Sequence, residues 1–204
     1  MVLSLAAFTL AAVLIVLLPG PDTLVVLRNL LRGGRGAAIR TVLGVLTGLA
    51  VWVVTAALGL SAVLRASHDA YLALRIAGAA YLIWLGVQSL RSRGAVADEA
   101  PTRRRGLIGT GYPAGLATDL LNPKVGVFFV TFLPSFVPRG YPVGWVTLLL
   151  GGVYVGLTAL YFAVLIAVSR PVTRWLSTRH IRRRMDRLTG LVLLGFGLRL
   201  SLEP

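Results

Sequence analysis

The 204-residue chain contains no cysteine, only seven acidic residues and two histidines. The absence of cysteine excludes disulfides, thiol redox chemistry and cysteine-ligated metals. The histidines, His68 and His180, lie in predicted loops far apart in sequence and do not suggest a metal site or a catalytic pair. We therefore expect no cofactor, no metal and no enzymatic activity.

Apolar residues, by contrast, make up 56% of the chain, and its mean hydropathy is +0.81. Uncharged runs of this length predict membrane-spanning helices, and they cover residues 1–21, 41–64 and 140–169. The first run lacks the basic start and small-residue cleavage site of a signal peptide, so we interpret it as a span. We predict six spans, at residues 3–29, 40–64, 70–90, 107–134, 142–169 and 186–202. A five-span interpretation stays open, because the charge-free part of the last span is only 188–198.

The net charge of +14 comes from arginines that are concentrated in alternate loops. Loops 1, 3 and 5 hold 16 of the 21 basic residues, and the remaining loops and termini hold four. The positive-inside rule then places loops 1, 3 and 5 in the cytoplasm and both termini outside it. We expect anionic membrane lipids to contact these arginines. We expect no nucleic-acid partner, because the chain lacks a soluble basic domain with interleaved aromatic residues.

The domain organisation follows from one linker-like segment, residues 91–106, which divides the six spans into two groups of three. We interpret residues 1–204 as a single transmembrane transporter domain, with a first three-helix repeat at 1–90, a cytoplasmic linker at 91–106 and a second repeat at 107–204. Three is an odd number, so the second repeat enters the membrane in the opposite direction to the first. The predicted fold class is an all-α membrane protein with six transmembrane helices in two inverted three-helix repeats.

Two tripeptides interrupt spans 1 and 4 at corresponding places: Gly20-Pro21-Asp22 and Asn122-Pro123-Lys124. Each consists of a helix-capping residue, a proline and a charged residue. Within a helix, proline costs about 3 kcal/mol, and a charge in mid-membrane costs roughly 2.5–3.5 kcal/mol. Paired interruptions of this kind indicate a substrate site built from broken helices. We therefore predict that helices 1 and 4 are discontinuous.

The chemistry of the two breaks suits a ligand that carries both charges. Proline is favoured at the first position of a helix, and asparagine and glycine are acceptable N-caps. Each restarted helix is expected to present free N–H groups and the positive end of its dipole, which together bind a carboxylate. Lys124 adds a cation, and Asp22 and Asp119 add anions. Such a site suits a zwitterion such as an amino acid.

The same charged residues allow two further interpretations. Asp22 and Lys124 could neutralise each other as a structural ion pair, since intramembrane ion pairs do occur. Alternatively, a buried carboxylate can hold either a proton or an ammonium group, which is the requirement for an antiporter. On that basis Asp22 is our first candidate for proton coupling and Asp119 the second.

The motifs around these residues resemble the lysine/threonine exporter family (LysE/RhtB type) of bacterial amino-acid exporters. They comprise residues 17–23 followed by 28–34, residues 119–124 and residues 78–86. The resemblance implies export of amino acids or close derivatives from the cytoplasm by proton antiport, across the cytoplasmic (inner) membrane of a bacterium. It also implies that substrate binding falls on the matching positions, which are Pro19, Gly20, Pro21, Asp22, Thr23, Asn122, Pro123 and Lys124.

Three other functions stay open at this point. An exporter of another small metabolite or cation would need more converging carboxylates than the two that lie within spans. A membrane-embedded enzyme would need a nucleophile–base pair, a metal cluster or cysteines, and the predicted spans contain neither histidine nor cysteine. A non-transporting scaffold would leave the two breaks unexplained. The expected partners are therefore an amino acid or related small molecule, protons and anionic lipids.

Overall fold

A computed structural model describes residues 2–66, 68–91, 110–138, 140–168 and 179–202. The described part is helical and contains no strand, which confirms the all-α prediction. Its helices are α1 (Val2–Leu17), α2 (Pro21–Ala66), α3 (His68–Arg91), α4 (Tyr112–Leu120), α5 (Pro123–Val127), α6 (Val143–Ala167) and α7 (Arg179–Leu202). After α5 the chain continues as a π-helix (Phe128–Phe132) and a 3-10 turn (Leu133–Phe136). The predicted linker 91–106 lies outside the described residues except for Arg91.

Helix α2 joins the second part of predicted span 1 to predicted span 2. The two parts meet at Gly34, whose φ of 68° and ψ of −168° are not helical. A positive φ of this kind is readily adopted only by glycine, so Gly34 allows the chain to turn between the two parts. The exposed arginines of predicted loop 1 surround this elbow: Arg28, Arg32, Arg35 and Arg40.

Both predicted breaks are present in the described chain. Helix α1 ends at Leu17, and α2 begins at Pro21. Helix α4 ends at Leu120, and α5 begins at Pro123; the segments Tyr112–Leu120 and Pro123–Phe136 meet at an angle of 53°. Proline stands at the first position of each restarted helix, where its missing N–H would have had no intrahelical partner.

The main core consists of buried apolar residues from α1, α2, α6 and the segment that follows α5. Among its residues Phe8, Phe129 and Phe132 are fully buried. Helix α4 packs on α2 where both carry glycine, because a Cβ on Gly44 or Gly115 would overlap the backbone of the other helix. Helices α3 and α7 pack against each other in a second, smaller cluster. Phe132 and Phe196, with ring centroids 4.2 Å apart, connect the two clusters.

Two helices in the described chain are long and apolar enough to cross a membrane: Pro21–Gly59 and Val143–Ala167. The bent pair Tyr112–Leu120 and Pro123–Phe136 is a third when it is taken as one span. Leu3–Leu17 is apolar but shorter. These helices support a multi-pass membrane protein, and the full set of six spans stays a prediction.

Candidate functional site

The two helix breaks lie next to each other and are joined by a hydrogen bond. Asn122 Nδ2 donates to Asp22 Oδ2 over 2.7 Å. The other side-chain atom of Asn122, Oδ1, accepts from the backbone N–H of Lys124 at 3.2 Å, as an N-cap does. Asn122 therefore caps α5 and holds Asp22 in the first turn of α2.

Lys124 makes the second connection between the breaks. Its ammonium nitrogen Nζ donates to the carbonyl oxygens of Ile15 at 3.2 Å and Leu18 at 3.4 Å. These carbonyls lie at the C-terminal end of α1, where the helix dipole is negative and favours a cation. The ammonium therefore binds helix α1, and the alternative of a direct Asp22–Lys124 pair is not among the hydrogen bonds that either residue makes. An ammonium has three N–H donors, so one more remains after these two bonds.

The predicted free N–H groups are present at one break and not at the other. In α5, the N–H of Lys124 bonds to Asn122 Oδ1, and those of Val125 and Gly126 bond to Asn122 O. Pro123 has no N–H, so the prediction of free donors at the start of α5 is wrong. In α2, the first backbone hydrogen bond runs from Leu24 N–H to Gly20 O. The N–H groups of Asp22 and Thr23 precede it, as at any helix N-terminus.

A small cavity of about 40 Å³ lies between the breaks. Six of the residues that the sequence singled out line it: Gly20, Asp22, Thr23, Asp119, Asn122 and Lys124. Pro19, Pro21 and Pro123 are not among its described lining residues. A volume of this size holds no more than a few water molecules, so a substrate requires the site to open.

Asp119 is the least solvent-exposed charged residue of this cavity. The residue has 0% exposure, and neither of its carboxylate oxygens has a hydrogen-bond partner. It lies in the last turn of α4, and its backbone carbonyl accepts from Trp52 Nε1 at 3.4 Å. A Cβ on Gly48 would overlap its carboxylate, so the glycine lets α2 pass directly beside the acid. Among the described residues no cluster of three or more His, Cys, Asp or Glu suits a metal ion.

The wall opposite the breaks is formed by α6. Tyr154, Thr158 and Tyr161 line the cavity from this helix, and the Tyr161 hydroxyl lies 3.4 Å from Thr23 Oγ1. None of the three is among the site residues predicted from the sequence. Their spacing of four and three positions puts them on one helical face, which is the only sequence signal for them. That signal identifies the site only once the packing of α6 against the breaks is known.

A larger groove adjoins the second break on its other side. It has a volume of about 550 Å³ and is mostly apolar. Trp52 of α2, Gly78 and Tyr81 of α3, and Pro123 and Val130 after the break contribute to its walls. Asn122 lines both this groove and the small cavity.

The amino-acid sequence is similar to those of known membrane proteins. The model of the LysE type translocator family matches residues 13–203 of the chain. A membrane protein of Bacillus subtilis, YrhP, is 30% identical, with 98% of this chain and 99% of the relative aligned. A leucine efflux protein of Salmonella choleraesuis is 28% identical over 98% of this chain and 95% of the relative.

A homoserine/homoserine lactone efflux protein of Salmonella typhimurium is 26% identical over 96% of this chain and 94% of the relative. No solved structure matches the chain. The family match covers nearly the whole chain, including both helix breaks and every residue of the cavity. The chain therefore belongs to the LysE type translocator family, the lysine/threonine exporter type that its motifs resemble.

Proposed function

We propose that the protein is a secondary active exporter of amino acids or close derivatives and that proton antiport drives it. The observation that carries the proposal is the cavity between two broken helices, where Asp22, Asp119 and Lys124 converge. A site with both signs of charge in an apolar protein suits a zwitterion. Two relatives are named as efflux proteins for leucine and for homoserine and its lactone, which supports this class of substrate.

In this proposal the substrate carboxylate binds at the start of α2. The N–H groups of Asp22 and Thr23 and the remaining donor of Lys124 are available to it. Gly20, which has no side chain, lets the substrate approach the backbone. Pro19 and Pro21 maintain the break between α1 and α2. Asn122 and Pro123 maintain the break between α4 and α5. An anion at this place also benefits from the positive end of the α2 dipole.

We assign proton coupling to Asp22, the first of the two predicted candidates. Its carboxylate accepts the hydrogen bond from Asn122, so a change in its charge acts directly on the contact between the breaks. When Asp22 is ionised, the bond from Asn122 is charge-assisted and holds the site closed. A proton on Asp22 weakens this bond and allows the two breaks to separate.

Alternating access would follow from two inverted repeats. Exchanging the repeats exchanges spans 1 and 4, spans 2 and 5, and spans 3 and 6. Helices α1 and α6 belong to spans 1 and 5, which correspond to spans 4 and 2, formed by α4 and the second part of α2. The contact of α1 with α6 therefore corresponds to the contact of α4 with α2, and both occur in the described chain. The contacts α2–α6 and α3–α7 map onto themselves and also occur. This agreement supports the inverted arrangement and a rocking motion around the site.

The proposed location is the cytoplasmic membrane of a bacterium, with both termini outside the cytoplasm. Exposed arginines at the Gly34 elbow would then face the cytoplasm and contact anionic lipid headgroups. Export of another small metabolite or cation is the alternative. It does not need a carboxylate-binding helix end, but it calls for more carboxylates than the two, Asp22 and Asp119, that line the cavity.

The deciding experiment is substrate flux through the purified protein in liposomes. We expect homoserine or leucine to exchange across the membrane, and a proton gradient to drive net uphill movement. Liposomes without protein serve as the control. Flux of a cation without any amino-acid flux would favour the alternative.

A further inference from the structure

Asp119 has an unusual environment for a carboxylate. It has 0% exposure and lines the cavity, yet neither of its oxygens has a hydrogen-bond partner. Buried polar groups in proteins are nearly always hydrogen-bonded, and burying an unpaired charge is costly. A group in this condition indicates a function that offsets its cost.

The fold keeps Asp119 in this place from two sides. Its backbone carbonyl accepts hydrogen bonds from Trp52 Nε1 at 3.4 Å and from the N–H of Asn122 at 3.0 Å. Beside its carboxylate, α2 offers Gly48, where even a methyl group would overlap the acid. These contacts position Asp119 and leave both of its carboxylate oxygens without a hydrogen-bond partner.

The C-terminal ends of α1 and α4 differ in the charged group that lies beside them. The C-terminal end of α1 binds the ammonium of Lys124 through the carbonyls of Ile15 and Leu18. The C-terminal end of α4 carries an anion, Asp119, in its last turn. A helix C-terminus stabilises cations and destabilises anions, so the carboxylate and the end of α4 act together in favour of a cation.

Asp22 has the opposite surroundings. Its Oδ2 accepts from Asn122 at 2.7 Å, and it lies in the first turn of α2, where the helix dipole favours an anion. Asp22 Oδ1 has no hydrogen-bond partner, but these two features stabilise the negative charge of Asp22, whereas both carboxylate oxygens of Asp119 lack a partner. A cation that enters the cavity therefore gains more from Asp119 than from Asp22.

We infer that Asp119 binds the free ammonium group of the exported molecule, and that the protein consequently refuses analogues whose amino group is absent or acylated. This inference rests on the proposed function and extends it to the substrate class. The substrate's carboxylate would point to the start of α2 and its ammonium to the end of α4, across a cavity that both ends line.

The first experiment needs no variant. Exchange of labelled leucine by the protein in liposomes is measured against three unlabelled competitors: leucine, N-acetyl-leucine and 4-methyl-2-oxopentanoate, which has the same skeleton without the amino group. We expect leucine to compete at least about tenfold better than the other two, because a buried group left unpaired discriminates strongly. Equal competition by N-acetyl-leucine would overturn the inference while leaving the exporter proposal intact. If leucine does not exchange, homoserine and its N-acetyl form replace the pair.

The second experiment tests Asp119 itself by binding, independently of export. The melting temperature of the purified protein is followed with 3-methylbutylamine, which carries only the ammonium, and with sodium chloride against choline chloride. We expect the amine to stabilise the parent, and Asp119→Asn to lose this effect. Asp69→Asn, an exposed acid at the start of α3, is the matched control and should respond like the parent.

The outcomes separate the possibilities. Loss of the amine response in Asp119→Asn alone supports ammonium binding by Asp119, and a failure of amino-acid export would then count against the proposed function only. Stabilisation of the parent by sodium and not by the amine would mean that Asp119 binds an inorganic cation, and the inference would be wrong. If Asp119→Asn cannot be purified folded, Asp119→Glu takes its place. It keeps the charge but has less room beside Gly48, so the amine response should weaken and not vanish.

Discussion

Asn122 Nδ2 lies 2.7 Å from Asp22 Oδ2, across 100 residues of intervening sequence. The bond joins the cap of one broken helix to the first turn of the other. Together with the bonds of Lys124 to Ile15 and Leu18, it links each break to the opposite half of the chain. Any motion that separates the halves must break these contacts, so we expect substrate and proton to act on them.

Replacement of Asp22 by asparagine tests the coupling role. The variant keeps the size of the side chain but removes the charge, so a proton can no longer exchange for substrate. We expect uphill export driven by a proton gradient to be lost, while exchange of substrate for substrate is partly retained. The two are measured separately in liposomes with and without a pH gradient. Full uphill export by Asp22→Asn would transfer coupling to another group, with Asp119 next, or exclude proton antiport.

Replacement of Lys124 by methionine tests the link to α1. Two hydrogen bonds from a charged donor are lost, each worth about 1.5–3 kcal/mol in other proteins. The end of α1 loses its cation and the substrate carboxylate loses a donor. We expect a lower melting temperature and at least about tenfold weaker substrate binding, a factor that corresponds to about 1.4 kcal/mol.

The control for this variant is Arg32→Met, which removes the same charge from the exposed elbow. It should change neither substrate binding nor the melting temperature by a comparable amount. If Arg32→Met weakens binding as much as Lys124→Met does, a general effect of charge on the protein or its lipids explains both. The specific role of Lys124 would then be refuted.

Two glycines allow a matched test of the contact between α2 and Asp119. A Cβ at Gly48 would overlap the Asp119 carboxylate, whereas a Cβ at Gly152 would meet no atom within 4 Å. Gly48→Ala should destabilise the protein by about 1–3 kcal/mol, the usual cost of overpacking, and reduce exchange. Gly152→Ala should be neutral or stabilising by up to about 1 kcal/mol, because alanine favours a helix. Thermal unfolding in detergent measures both, and equal tolerance of the two variants would contradict the described packing.

The predicted topology can be tested with single cysteines, because the parent has none. Arg35→Cys lies at the elbow of α2, and Tyr141→Cys lies in the loop before α6. We expect a membrane-impermeant thiol reagent to label the elbow only from the cytoplasmic side, and the loop only from the opposite side. Labelling of Tyr141→Cys from the cytoplasm alone would show that the topology is the inverse of the predicted one. The arginines of the Gly34 elbow would then face away from the cytoplasm.

The sequence by itself determined the features that depend on local backbone chemistry. Proline lacks an N–H and suits the first turn of a helix, and asparagine caps a helix, so helix starts at Pro21 and Pro123 were predictable from a few residues. The long uncharged runs likewise predicted apolar helices. The family was predictable from the same motifs, and the match over residues 13–203 confirms it.

Only the tertiary structure decided what the charged groups of the site contact. Asn122 satisfies the N–H groups of its own helix, so the free donors expected at the start of α5 are absent there. Lys124 reaches the carbonyls of α1, a contact between residues more than 100 positions apart. The sequence also does not distinguish Gly48, which packs against Asp119, from Gly152, which has open space around it. Such contacts depend on how distant segments pack, and no pattern of neighbouring residues encodes which carbonyl, acid or helix face a long side chain will meet.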